Sequence, residues 1–92
     1  MANARVHAVV RGRVQSVFFR STAKKEADKL KLKGYVKNMP DGNVEIVAEG
    51  EKEDLRYLMD WCHKGPVLSY VDKVDVNWEP PTGEFGSFEV KY

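Results

Sequence analysis

Gly34-Tyr35-Val36-Lys37-Asn38-Met39-Pro40-Asp41-Gly42-Asn43-Val44-Glu45-Ile46-Val47-Ala48-Glu49-Gly50 carries the clearest structural signal in the chain. At its centre Pro40-Asp41-Gly42-Asn43 is a strong turn signal: Pro presets φ, Asp bonds its own backbone and Gly admits positive φ. Residues 34–39 before it read as a strand. Asn43–Gly50 after it alternates cleanly, with Val44, Ile46 and Ala48 on one side and Glu45, Val47 and Glu49 on the other. A period of two with one apolar face predicts a strand, and the pair predicts a hairpin.

Outward from the hairpin the period changes to that of a helix on both sides. Upstream, from about 19 to 32, Ala23, Ala27 and Leu30 recur at i, i+4 and i+7, while Lys24, Lys25, Asp28 and Lys29 fall outside that stripe. Ser16, Ser21 and Thr22 are each candidates to cap its start, and Gly34 is a natural stop. Downstream, 52–64 carries Leu55, Leu58, Met59 and Cys62 on one stripe, ended by Gly65-Pro66. The carboxylates between Glu49 and Asp54 suit the positive end of that helix.

Beyond the helices, residues 5–14 alternate Val6, Ala8 and Val10 against His7, Val9 and Arg11, and Gly12 ends or bends the strand. Residues 70–79 alternate Val74, Val76 and Trp78 against Lys73, Asp75 and Asn77. Pro80-Pro81-Thr82-Gly83 forces a loop, and Phe88, Val90 and Tyr92 mark a short last strand. The order β-α-β-β-α-β with a terminal strand predicts an α+β fold: a ferredoxin-like α/β sandwich, its mostly antiparallel sheet covered on one face by two helices.

Composition narrows the function. A chain of 92 residues has room for one domain, 1–92. With 15 Lys+Arg against 14 Asp+Glu the net charge is +1, which argues against a general nucleic-acid binder but leaves room for a local anion site. Cys62 is the only cysteine, so an internal disulfide and a cysteine zinc cluster are excluded and a reducing compartment is favoured. The stretch Met1–His7 has no signal h-region, and no apolar run approaches the ~18–20 residues of a membrane span. The expectation is a cytoplasmic protein, away from membranes, with no long apolar patch to force it beyond a monomer.

Topology then brings two residues together. The crossover through the first helix makes the first two strands parallel, so their C-terminal ends share one sheet edge. Asn38 has the parity of Val36 and faces the helix side, where Arg20 sits in the first helical turn. Between strand and helix runs Gly12-Arg13-Val14-Gln15-Ser16-Val17-Phe18-Phe19-Arg20. A loop entering a helix N-terminus offers unpaired N–H groups and a positive dipole end to phosphate or carboxylate. Arg20 either grips an anion or makes a surface ion pair. Asn38 either orients a water or bonds the following turn.

These residues resemble a known family. Gly12-Arg13-Val14-Gln15-Ser16-Val17-Phe18-Phe19-Arg20 is similar to the acylphosphatase signature Gly-x-Val-Gln-Gly-Val-x-Phe-Arg. Gly34-Tyr35-Val36-Lys37-Asn38 is similar to its second signature, and Asp41-Gly42-Asn43-Val44-Glu45 continues it at the expected spacing. The resemblance spans the whole chain. It implies a metal-independent acylphosphate phosphohydrolase without cofactors, acting on small carboxyl–phosphate anhydrides. It implies Arg20 as the phosphate-binding arginine and Asn38 as the water-positioning asparagine. It implies the backbone N–H groups of Gln15, Ser16, Val17, Phe18 and Phe19 as a cradle for inorganic phosphate or another anion. One position departs from the pattern: Ser16 stands where the family has Gly. If the cradle needs positive φ there, serine costs roughly 1 kcal/mol or more; if it does not, the hydroxyl could add a contact.

Other features read as structure. His7 is a sheet-face residue, His63 a helix-end residue, Cys62 core, and Trp61 a residue flanking the core. An RNA recognition motif shares this element order but needs stacking aromatics on its open sheet face, where this chain presents Glu45, Val47 and Glu49. A ferredoxin-like metal carrier needs Cys-x-x-Cys in the first loop, which is absent. A non-catalytic anion-binding domain that kept the cradle stays open, because of Ser16.

Overall fold

The computed structural model describes residues 3–92. Met1 and Ala2, part of the N-terminal stretch read above for a signal sequence, lie outside the described residues. The elements run β1 (Asn3–Arg13), α1 (Phe19–Lys29), β2 (Lys33–Asn38), β3 (Val44–Glu51), α2 (Lys52–Lys64), β4 (Tyr70–Glu79) and β5 (Phe88–Lys91). They form one five-stranded sheet in the order β4-β1-β3-β2-β5. Three pairs are antiparallel, whereas β2 and β5 are parallel, so the sheet is mixed. β3 lies between β1 and β2, as the split βαβ order requires.

One face of the sheet meets both helices. Val6, Ala8 and Val10 of β1, Val36 of β2 and Val44, Ile46 and Ala48 of β3 are buried there against Ala23, Ala27, Leu55, Leu58 and Cys62. These are the apolar residues of the predicted alternations and stripes. The other face is less open than the alternation of β3 suggests. Val47 and Glu49 are buried too, and the segment after β4 folds back over Glu49 and Tyr35. Thr82 and Gly83 amides donate to Glu49 at 3.0 and 2.9 Å, Arg5 donates to it at 2.7 Å, and the Phe85 ring lies 6.0 Å from Tyr35.

α1 begins at Phe19, as its period suggests, but its end and its cap differ from the sequence expectation. The helix stops at Lys29 rather than near 32. Lys31 takes φ 58°, its N–H donates to Asp28 O at 3.1 Å, and the Leu32 N–H donates to Ala27 O at 2.9 Å. This is a Schellman ending with lysine instead of glycine in the left-handed position. It turns Leu32 into the core, where only 3% of it is exposed. At the start, Phe18 is the N-cap at φ 64°, with no side-chain cap. Ser21 and Thr22 point their hydroxyls backward, donating to Phe18 O at 3.2 and 2.8 Å, and Ser16 lies two residues outside the cap.

Candidate active site

β1 delivers the loop 14–18 to the edge of the sheet through a bulge. The β1–β4 register shifts between Arg11 and Gly12. Gly12 has φ 133°, and a Cβ there would run into the Tyr70 carbonyl, so glycine alone lets the strand bend at this point. The loop is then pinned at both ends, because Val14 and Phe19 are fully buried. The Phe19 ring packs 5.2 Å from Trp61 of α2. In between, Gln15 Nε2 donates to the Met39 carbonyl at 2.7 Å and to the Asn43 carbonyl at 2.8 Å. That amide ties the loop to the turn of the β2–β3 hairpin. The turn closes on itself through Met39 N–H to Asn43 O at 2.8 Å and Asn43 N–H to Asp41 Oδ1 at 3.1 Å.

Within this frame the backbone alternates in hand. Ser16 and Phe18 have φ 61° and 64°, while Gln15 and Val17 are not in the positive-φ region. Alternation of this kind turns successive N–H groups toward one point, making an anion-binding concavity. Among the described residues, no amide from Gln15 to Arg20 donates to a protein acceptor. The positive end of α1 adds its dipole in the same place. The condition raised by Ser16 is thus answered: the loop takes the left-handed turn with serine in it.

Arg20 and Asn38 border one cavity of about 250 Å³, together with Ser16, Phe18, Val90 and Tyr92. The convergence expected from parity and topology is therefore present. Arg20 makes no surface ion pair with a carboxylate among the described residues. Its Nη1 donates to the Lys91 carbonyl at 2.9 Å, and its guanidinium carbon lies 4.6 Å from the Tyr92 ring centroid. One N–H of the guanidinium is thereby taken by β5 and one face of it by Tyr92, while other N–H groups stay free. Asn38 does not bond the following turn. Its Oδ1 is buried and accepts no hydrogen bond, which is uncommon for an interior polar atom.

Three contributors escaped the sequence reading. The side chain of Gln15, counted there only for its amide, is the clamp on the hairpin. Lys91 and Tyr92 hold Arg20, because β5 runs parallel to β2 and ends at the same sheet edge. The alternation of Phe88, Val90 and Tyr92 announced a strand but not its neighbour.

The residues set aside stay outside the cavity. His7 Nε2 lies 2.8 Å from Glu45 Oε2 on the opposite sheet face. His63 Nδ1 bonds the Met59 carbonyl at 2.9 Å. Cys62 is fully buried, and burial pushes its thiol well above the usual range. No group of three or more metal-ligating side chains occurs among the described residues, nor any helix long and apolar enough to cross a membrane.

A ferredoxin-like sandwich with unpaired amides, an arginine and an unpartnered asparagine around one cavity defines a narrow class. A family model for acylphosphatase matches residues 6–90. An acylphosphatase of Anaeromyxobacter dehalogenans is 47% identical over 88 residues, covering 96% of this chain and 95% of its own. One of Methylococcus capsulatus is 49% identical over 86 residues, 94% of each chain. The crystal structure of acylphosphatase from Bacillus subtilis is similar with a TM-score of 0.93 and 37% identity, covering 97% of this chain and 99% of that one. The chain belongs to the acylphosphatase family, hydrolases that act on the acid anhydride of a carboxylate and phosphate.

Proposed function

We propose that the chain, acting as one unit, hydrolyses small acyl phosphates to carboxylate and inorganic phosphate. In this reading the amides of Gln15, Ser16, Val17, Phe18 and Phe19 together with Arg20 hold the phosphoryl group, and Asn38 aims the attacking water. The observation that carries it is the meeting, at one cavity, of unpaired amides, a guanidinium held by backbone and ring, and a buried acceptor without a donor.

The chemistry asks for little more. The leaving carboxylate is a weak base and departs without a proton. What remains is to neutralise phosphoryl charge and place the water in line. Donors fixed before the substrate arrives need no reorganisation at the moment of reaction. Arg20 offers two parallel N–H groups to phosphoryl oxygens. Asn38 Oδ1 accepts a hydrogen bond from the water, helped by the broad torsional freedom of a terminal amide. As the water oxygen bonds to phosphorus the bond to the acyl oxygen breaks, and the water's proton passes to a phosphoryl oxygen of the substrate itself. No side chain is required as general base.

Cys62, buried and without a disulfide partner, suits a reducing compartment such as the cytoplasm. The test is hydrolysis of benzoyl phosphate by purified protein in the presence of chelator, beside Arg20→Ala and calorimetric titration with inorganic phosphate. Chelator-insensitive turnover is expected, with Arg20→Ala losing both turnover and phosphate binding. A wild-type protein inert toward benzoyl phosphate, or an Arg20→Ala protein that binds phosphate normally, would overturn the assignment.

A further inference from the structure

We infer that Ser16 Oγ is a further ligand of the bound phosphoryl group, donating a hydrogen bond to one of its non-bridging oxygens. The inference rests on the proposed function and adds a second side-chain donor, beside Arg20, to the cradle of backbone amides.

Three observations carry it. First, Ser16 holds φ 61°, a conformation that glycine enters freely and serine does not. A strained, non-glycine backbone beside a cavity marks a position where the side chain earns its place. Second, the Ser16 hydroxyl has no partner within the protein among the described residues. It does not cap α1, whose N-cap is Phe18 with no side-chain bond. The neighbouring hydroxyls differ in this respect: those of Ser21 and Thr22 are both committed to the Phe18 carbonyl. Third, Ser16 borders the same cavity as Arg20 and Asn38.

The surroundings make the contact inexpensive. Val14 is buried two residues earlier, and Gln15, next in the chain, is held by two hydrogen bonds. The Ser16 backbone is therefore fixed, and aiming its hydroxyl restricts little more than one side-chain torsion. Arg20 is the one cationic side chain bordering the cavity. A bidentate guanidinium engages two phosphoryl oxygens, and the serine hydroxyl is a neutral donor available to a third. The competing view is that serine is merely small enough to be tolerated at a turn.

Two substitutions separate these views. Ser16→Ala removes the hydroxyl and keeps the left-handed cost. Ser16→Gly removes the hydroxyl and also relieves that cost. We would measure the Kd for inorganic phosphate by calorimetry, kcat and KM for benzoyl phosphate, and the thermal midpoint of each protein. The expected result is that both variants raise the phosphate Kd and the KM by about tenfold, the size of one lost hydrogen bond to a charged group. kcat should stay within about threefold, as for a contact present in both ground and transition states. The two variants should agree with each other, and Ser16→Gly should melt no lower than the wild type. Should Ser16→Ala fold poorly, the glycine variant carries the same comparison. Wild-type phosphate affinity in either folded variant would overturn the inference while leaving Arg20 and Asn38 in place. A wild-type protein that neither binds phosphate nor hydrolyses benzoyl phosphate would remove this inference and the proposed function together.

Discussion

Replacing Asn38 by alanine should separate stability from turnover. Its Oδ1 is buried with no donor in reach, and an interior acceptor left unpaired costs about 1–3 kcal/mol. Alanine removes that cost. It also removes the packing of three side-chain atoms at a half-buried position, a loss on the order of 1 kcal/mol. The balance is a fold stabilised by roughly 0–2 kcal/mol, which for a domain of this size is a rise in Tm of about 4–8 °C per kcal/mol. Catalysis moves the other way. A water that is no longer aimed loses at least about a hundredfold in kcat, the scale of a small misplacement of reacting atoms. Phosphate binding, which rests on the loop amides and Arg20, should be unchanged. The experiment is a far-UV circular dichroism melt at pH 7, kcat for benzoyl phosphate and calorimetric titration with phosphate, all on the same preparations. A Tm lowered by several degrees would show that the amide holds the native structure together, and the reasoning from the orphaned oxygen would fail. Turnover within about tenfold of wild type would remove Asn38 from the mechanism whatever the Tm did.

Gln15→Leu deletes both donations to the hairpin turn and leaves the Met39 and Asn43 carbonyls without that partner; a loss of about 1–3 kcal/mol together with reduced kcat is expected in paired melting and kinetic measurements, and an unchanged Tm would show that the clamp contributes nothing. The Glu49 carboxyl gives a pH-dependent prediction: burial pushes its pKa up, but the hydrogen bond from Arg5 and those from Thr82 and Gly83 outweigh it and hold the group at about 2, against an ordinary value of 4.5. A carboxyl lowered on folding contributes stability that is complete above 4.5 and is lost as pH falls through the window toward 2, so Glu49→Gln should lower the urea midpoint at pH 7 and flatten its acid dependence between those values; parallel curves for the two proteins would refute it.

What the sequence made legible and what it hid follow from the range of each interaction. Strand and helix periods are local, so the alternations around Val6, Val36 and Ile46 and the stripe of Leu55, Leu58, Met59 and Cys62 located the sheet and the core. The handedness of the crossover is a general rule, so the meeting of Arg20 and Asn38 followed from parity alone. Pairings between distant, short elements obey no such rule. Four residues of β5 carry a period but not a partner, and the hold of Lys91 and Tyr92 on Arg20 was therefore invisible, as was the reach of Gln15 across to Met39 and Asn43. The failures at α1 are of another kind, and they bear on function. Local propensity asks a helix for a serine or threonine cap, and it expects glycine wherever φ is positive. The chain does otherwise at its start: Phe18 caps with no side-chain bond, and Ser16 and Phe18 are left-handed without being glycine. A capping side chain would take up one of the N–H groups that the helix end leaves free. An uncapped helix entered through a loop of alternating hand keeps those groups free of protein acceptors beside the cavity. The departure from the local rule and the unpaired amides beside the cavity are thus one structural fact.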